Sequence, residues 1–479
     1  MLNYTGHPLV DVGIATLAAF ANKRDPAQLT PDDLKNAVKY MQENYVVNPL
    51  KSFLTVAFPN SGFTNPAFEK QPEKRTEYAS FILNAWCHGV AALNEPCVYT
   101  RQPAVLRAFR QHLPLITGEE IINFHPYGMA GLPISGGAIL AVQAFPLGCA
   151  KVQGRLLAVH ADDSDLTYSF AQRFLEQNRE AIQTAQLSGS SKLPESPRSA
   201  ATLLLETLLE IEEERLLRMG GDMEEQVPPV SITAYHLSNL GQNVDLAIYH
   251  LPLEIFDFLR TAISARYRAA WGKIRQRGWE IVRAKRTRKA DTQEPLPRYN
   301  VLYEDLFRLP EQALHFIRCY FLRVPTRARR AGDPRATYSL KAEADLVSWD
   351  LVDLFLRKVV RMDLARIQQI RDLGDALAGY VYHENDRRFF HTFLTARRYD
   401  ILREALIRVS VARIKKGQPP LVTFDPYIEI FEHGRELPDA NWRLARDLVL
   451  IRMIERLYQL GWIQAHAAEL PEPEDETVV

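Results

Sequence analysis

Apolar residues recur at helical spacing along most of the chain, and the places where that spacing fails mark its other elements. Residues 5–21 read as a turn, Thr5-Gly6-His7-Pro8, leading into a helix whose apolar members include Val12, Leu17 and Phe20. Thr30-Pro31-Asp32-Asp33 supplies a cap, a proline at the first helical position and two first-turn acids ahead of Leu34, Val38 and Met41, which predicts a second helix. From Asn48 to Phe58 a β-branched and aromatic run reads as a strand, leading into the polar loop Asn60-Ser61-Gly62-Phe63-Thr64-Asn65. Residues 73–93 return to a helical pattern.

The stretch from Phe124 to Asp163 is rich in glycine and proline and apolar on both sides of them, so it bends rather than forming one long element. Within it, Ala138 to Phe145 fits a short helix or a buried strand, and Arg155 to His160 reads as a strand. A helix is expected from Leu166 to Ile182, a Ser- and Pro-bearing linker from Gln186 to Arg198, and a further helix from Ala200 to Arg218. Val230 to Leu251 suggests two strands around the turn at residues 239–243, and from Asp345 onward the pattern is almost wholly amphipathic helix. The expected fold is α+β: a mixed N-terminal domain with short strands and glycine-rich loops at 1–185, a middle domain at 199–340, a helical bundle at 341–470, and a disordered acidic tail at 471–479.

The 479 residues carry 58 Lys plus Arg against 58 Asp plus Glu, so any polyanion-binding surface must come from local segregation of charge. Four cysteines, at 87, 97, 149 and 319, are too sparse for a disulfide scaffold and fit a reducing cytoplasm. The first twenty residues lack the basic region of a signal peptide, and no apolar run is long enough to span a membrane.

Segregation is present. From Arg260 to Lys289 eleven Lys or Arg face the single acid Glu280, in the company of Tyr267, Trp271 and Trp279. Cations neutralise phosphates and aromatic faces stack on unpaired bases, so this pattern suits a nucleic-acid groove; the plainer reading is a solvated helix whose aromatics point into the core. The candidate backbone contacts are Arg266, Arg268, Lys273, Arg275, Arg277, Arg283, Lys285, Arg286, Arg288 and Lys289, with Arg323, Arg327, Arg329, Arg330 and Arg335 in a second cluster. Asp162, Asp163 and Asp165 fit either a carboxylate metal cluster or, more simply, the capped start of a helix. No phosphate-binding glycine loop, HExxH or Ser/His/Asp arrangement advertises a catalytic centre.

Two stretches, Cys97-Val98-Tyr99-Thr100 and Cys149-Ala150-Lys151-Val152, look like zinc knuckles that each keep the first cysteine and lose the second. Their surroundings, YTGHPLVDVGIATL, TPDDLKNAVKYM, FPNSGFTNP and FHPYGMAGLPISGGAILAVQAFPLGCAKVQGRLLAVHADD, resemble the CRISPR-associated CXXC-CXXC family. That family provides the large subunit of type I-B Cascade, an RNA-guided surveillance complex. The resemblance is densest over the first 180 residues or so and looser beyond. It implies a binding protein rather than an enzyme, which recognises the protospacer-adjacent motif in duplex DNA, contacts the 5′ handle of the guide RNA and helps to open the target. The missing cysteines argue against a bound zinc, and no other cofactor is implied.

On this reading the motif-reading candidates are Lys51, Asn60, Ser61, Phe63, Thr64 and Asn65, with Gly136 and Gly137 permitting close backbone approach. The implied partners are guide RNA, target double-stranded DNA, the backbone and handle-binding subunits of Cascade, and a helicase-nuclease or transposition proteins. Small subunits resembling the C-terminal bundle would arise by internal translation from near Met362. Two alternatives stand beside it: a DNA-targeting adaptor of a CRISPR-associated transposition complex, and a metal-dependent nuclease centred on Asp162, Asp163 and Asp165.

Overall fold

The computed structural model describes residues 2–116, 118, 129–219, 228–239, 244–282, 296–432 and 442–470. It is an α+β chain that divides into two compact units, Met1–Arg215 with Pro228–Leu253 and Leu216–Val227 with Glu254–Val479.

The first unit is built around α1 (Pro8–Phe20), whose residues from Leu9 to Ala19 are all buried. A helix apolar on every side has to be enclosed, and α1 packs against α5 (Gly136–Ala144), α6 (Ser164–Leu187) and β4 (Arg155–Ala161). Gly13 makes the crossing possible, because a Cβ there would lie 1.9 Å from the carbonyl oxygen of Ala141. α2 (Pro31–Asn44) starts as the sequence predicts: Thr30 accepts from the Asp33 amide and the Asp33 carboxylate accepts from the Thr30 amide.

The strand expected over 48–58 is instead the short helix α3 (Leu50–Leu54) followed by turns. Leu50, Phe53 and Leu54 share one buried face at helical spacing, and that periodicity outweighs the β-branched pair Thr55 and Val56. α4 (Pro72–Leu83) follows. β1 (Leu106–Ala108) and β2 (Leu132–Ile134) form a small antiparallel pair.

The main sheet is antiparallel in the order β3 (Ala150–Val152), β4, β5 (Ile232–Ser238) and β6 (Asp245–Leu251), with Ala158, Tyr235 and Ile248 in register. Pairing of β5 on β4 draws residues 228–253 into the first unit, although α7 (Ala200–Arg218) intervenes. The expected linker at 186–198 is therefore not a domain boundary. Leu193 is buried, Ser196 bridges to Val152, and Lys151 pairs with Glu195 at 3.1 Å.

The second unit contains α8 (Leu253–Ala262), α9 (Arg268–Arg277), α10 (Val301–Leu306) and α11 (Ala313–Phe316), the last continuing into a π-helical turn at Ile317–Phe321. The bundle follows as α12 (Trp349–Phe355), α13 (Leu364–Glu384), α14 (Arg387–Thr395), α15 (Tyr399–Lys415), α16 (Phe424–Phe431), α17 (Trp442–Gln459) and α18 (Trp462–His466). No boundary falls at 341. Phe316 stacks on Phe355 at 5.2 Å and Arg318 pairs with Asp447 on α17, which tie the middle segment and the bundle into one body. Among the described residues no helix is long and apolar enough to cross a membrane.

Candidate nucleic-acid interface

The loop at 60–65 is largely consumed by its own fold. Asn60 takes a left-handed conformation (φ 59°) and stays exposed, but the side chains beyond it turn inward. The Ser61 and Thr64 hydroxyls lie 3.1 Å apart, and Thr64 donates to the Phe58 carbonyl at 2.7 Å. Phe63 is fully buried, its ring edge-on to Tyr45 and Tyr78 at 5.4 and 5.1 Å. Asn65 caps the following turn by accepting from the Ala67 amide, and Lys51 is bound to Glu69 at 2.6 Å. Ser61, Phe63 and Thr64 thus spend their chemistry on packing, contrary to the expectation of an open reading loop.

Gly136 and Gly137 also serve the protein's own packing. They begin α5 behind the cap Ser135; a Cβ on Gly136 would lie 2.0 Å from the Ala85 carbonyl oxygen, and one on Gly137 would lie 2.9 Å from Leu2. The two half knuckles do not fit a zinc site. Thr100, at the lost ligand position, shares a hydrogen bond with Ser135 at 3.0 Å. Burial alone would push the Cys97 thiol up, but side-chain and backbone hydrogen bonds with Thr100 and Ser135 outweigh it and hold the group below its usual value. Cys149 donates to the Phe145 carbonyl, and burial pushes its thiol well up. No group of three or more His, Cys, Asp or Glu gathers at metal-binding distance among the described residues.

The acids at 162–165 follow the capping reading. Asp163 accepts from the Asp165 amide at 2.9 Å and faces Arg215 at 3.5 Å, while Asp165 faces Arg24 at 3.9 Å. His160 turns instead to Asp11 at 3.2 Å. Burial raises the Asp11 carboxyl, but His160, Thr5 and Gly6 hydrogen-bond to it and together hold it below the usual carboxylate range.

In the second unit the arginines divide into two kinds. Arg323 is fully buried, with two nitrogens on the Glu343 carboxylate at 2.9 and 2.7 Å and its guanidinium over Tyr338 at 3.6 Å. Arg277 binds the other oxygen of Glu343. Arg335 is buried between Asp333 and Asp305, at 2.8 and 2.7 Å. Arg323 and Arg335 are therefore structural, and Glu343, which no sequence signal marks, is the hub of the first pair.

The exposed kind lies on α9 and on the loop at 326–332. Trp271 and Ile274 bury one face of α9, with Trp271 edge-on to Phe258 at 5.3 Å, and Tyr267 is buried as well. Trp279 packs edge-on to Tyr303. Those rings support the core and are not a stacking platform. On the other face Arg266 and Lys273 are more than half exposed and only loosely paired, with Asp350 at 3.7 Å and Asp345 at 3.5 Å. Arg268 is exposed beside them and Arg275 is half-buried.

Arg330 binds Glu304 and stacks over Tyr299 at 3.2 Å, whereas Arg327 and Arg329 are exposed and have no ion-pair partner among the described residues. The Ile281 amide donates to the Gly332 carbonyl at 2.9 Å, and the Tyr299 hydroxyl donates to the Ala331 carbonyl at 3.0 Å. These bonds hold the Arg327–Arg330 loop beside Ile281 and Val282, where the chain enters its most basic stretch. Arg283, Lys285, Arg286, Arg288 and Lys289 lie outside the described residues.

The sequence reading passed over further exposed cations, Arg388, Arg403, Arg408 and Lys415, on α14 and α15. Their one signal is position on the polar side of an amphipathic helix, which any solvated helix shares. No protein-family model, curated protein or solved structure matches the chain.

Proposed function

We propose that this chain is the large subunit of a type I-B CRISPR RNA-guided surveillance complex, acting in the cytoplasm to recognise the protospacer-adjacent motif in duplex DNA, contact the guide RNA 5′ handle and promote unwinding of the target. The reading draws on the resemblance of the N-terminal stretches, and one observation carries its chemistry. Arg327 and Arg329, exposed and with no ion pair to their guanidiniums among the described residues, are held by the Ile281–Gly332 hydrogen bond beside the entry to a stretch with five cations in seven residues. Exposed guanidiniums that form no ion pair among the described residues, next to the point where the sequence turns strongly basic, suit a phosphate backbone. The protein binds and does not cleave; Asp163 and Asp165 are committed to a helix cap and to arginine pairs.

A second reading, a DNA-targeting adaptor of a transposition complex that no longer reads a motif, is favoured by the burial of Ser61, Phe63 and Thr64. One experiment separates the two. The assembled complex is offered a duplex library whose guide-matched target is flanked by randomised bases, and bound DNA is sequenced. Enrichment of a short flank that disappears when this chain is omitted supports the large subunit. Binding that needs the chain but shows no flank preference supports the adaptor, and binding indifferent to the chain refutes both.

A further inference from the structure

The first unit has a cavity of about 310 Å³ between its N-terminal residues, α1 and the loop at 97–102. Asn3, Tyr4, Tyr99 and Gln102 bring it polar groups, and Val10 and Ile14 of α1 add an apolar wall. A few placed polar groups beside apolar surface are the usual form of a small-ligand site.

Its walls are held by the protein's own hydrogen bonds. Thr5 donates to the Asp11 carboxylate through its amide at 2.6 Å and its hydroxyl at 2.8 Å, which anchors the segment that carries Asn3 and Tyr4. The Cys97 amide donates to the Gln102 carbonyl at 2.7 Å and the Arg101 amide to the Cys97 carbonyl at 3.0 Å, so the half knuckle is a closed loop. His7 packs against Tyr99 with ring centroids 4.6 Å apart. Several polar groups on these fixed walls are idle. The exposed side-chain amides of Asn3 and Gln102 make no hydrogen bond among the described residues, and the Tyr4 hydroxyl is buried without a partner. A buried hydroxyl left unpaired costs free energy until something satisfies it.

These side chains carry no charge, and the Asp11 carboxylate beside them is spent on Thr5, Gly6 and His160. The site therefore suits a neutral ligand. Two primary amides and two aromatic rings are the groups that read an unstacked nucleobase: an amide offers a donor and an acceptor side by side, as a base edge does, and a ring stacks on the base's face. Arg101 lies between Thr100 and Gln102, exposed and with no ion-pair partner among the described residues, which suits the phosphate next to a bound base. A free sugar would leave that cation without a role.

We infer that this cavity takes one unstacked base of a single-stranded nucleic acid, with Asn3 and Gln102 on its edge and Tyr4 or Tyr99 on its face. The inference goes beyond the proposed function, which rests on phosphate contacts of the second unit; this site selects for a base, so either can fail alone.

The test is photocrosslinking of the complete chain to short single-stranded oligonucleotides carrying one 5-iodouracil, made as DNA and as RNA, with the attached peptide mapped by mass spectrometry. Attachment at Tyr4 or Tyr99 is expected, suppressed by free uridine but not by glucose. Asn3→Ala with Gln102→Ala should lower its yield at least about five-fold, and Gln102→Ala alone serves if circular dichroism finds the double variant unfolded. Arg327→Ala with Arg329→Ala should leave the position of attachment unchanged, which separates this inference from the proposed function. Attachment from DNA alone or RNA alone names the strand and supports the inference. No attachment at either tyrosine, or a yield indifferent to the amide variants, overturns it. So does suppression by glucose as well as by uridine, which would assign the cavity to a sugar.

Discussion

Asp447 on α17 has no exposed surface, and both its oxygens are engaged. Oδ2 accepts from Arg318 at 2.7 Å, and Oδ1 accepts from two nitrogens of Arg446 at 3.0 and 2.8 Å. The two guanidiniums are themselves buried, Arg318 at 6% and Arg446 at 1% exposure. Asp447→Ala would take this carboxylate from both buried cations, and breaking a buried pair in this way costs about 3–5 kcal/mol. In a body of roughly 200 residues each kcal/mol moves the melting temperature by about 2–4 °C, so a fall of about 6–20 °C is expected in calorimetry. Asp447→Asn, which keeps an acceptor, should fall less. A shift under about 2 °C for the alanine variant would refute the reasoning.

The same geometry bears on a separately made C-terminal product. A chain beginning at Met362 would keep Asp447, Arg446 and Glu455 but lack Arg318, Trp349 and Phe355, so it would expose the face of α17 that these residues cover. Such a product needs a partner to replace that face.

Two further outcomes follow from the first unit. Burial lowers the His112 imidazole to about 4, and its Nδ1 accepts from the Phe109 amide, so the folded state holds it neutral. A histidine depressed in this way contributes stability that is complete above the unfolded value near 6.5 and is lost as pH falls towards about 4. Urea unfolding across that window should show a loss on the order of 3 kcal/mol that His112→Gln removes; an unchanged pH profile would contradict it. Phe63→Ala should cost about 3–5 kcal/mol of stability, as for other buried aromatics, while Asn60→Ala should cost under about 0.5 kcal/mol, both measured by urea unfolding. Equal costs would return Phe63 to the surface.

Local signals in the chain proved readable where the physics is local. Thr30 and Asp33 satisfy each other's backbone within one turn, so the start of α2 could be read directly. The α+β class, the strand at 155–161 and the hairpin of β5 and β6 follow from periodicity and turn residues in the same way. What depended on distant partners could not be read. Ser61 and Thr64 look like an open polar loop until the Phe58 carbonyl and the buried ring of Phe63 are known. Gly136 looks like a site of ligand approach until the Ala85 carbonyl is found beside it. Arg323 and Arg329 differ in nothing the sequence displays; the guanidinium of the first lies on Glu343, twenty residues on, and that of the second forms no ion pair among the described residues. Only Arg335 carried a local hint, since Asp333, two residues before it, binds its guanidinium.

The central claim, that the exposed cations of the second unit hold a nucleic-acid backbone, is tested most directly by salt dependence. Duplex DNA affinity of the complete chain is measured over a range of salt concentrations for the native protein and for Arg327→Ala with Arg329→Ala. Each phosphate contact contributes about 0.9 to the slope of log affinity against log salt, so two lost contacts should flatten it by about 1.8 and weaken binding equally across sequences. An unchanged affinity and slope in a folded double variant would contradict the account.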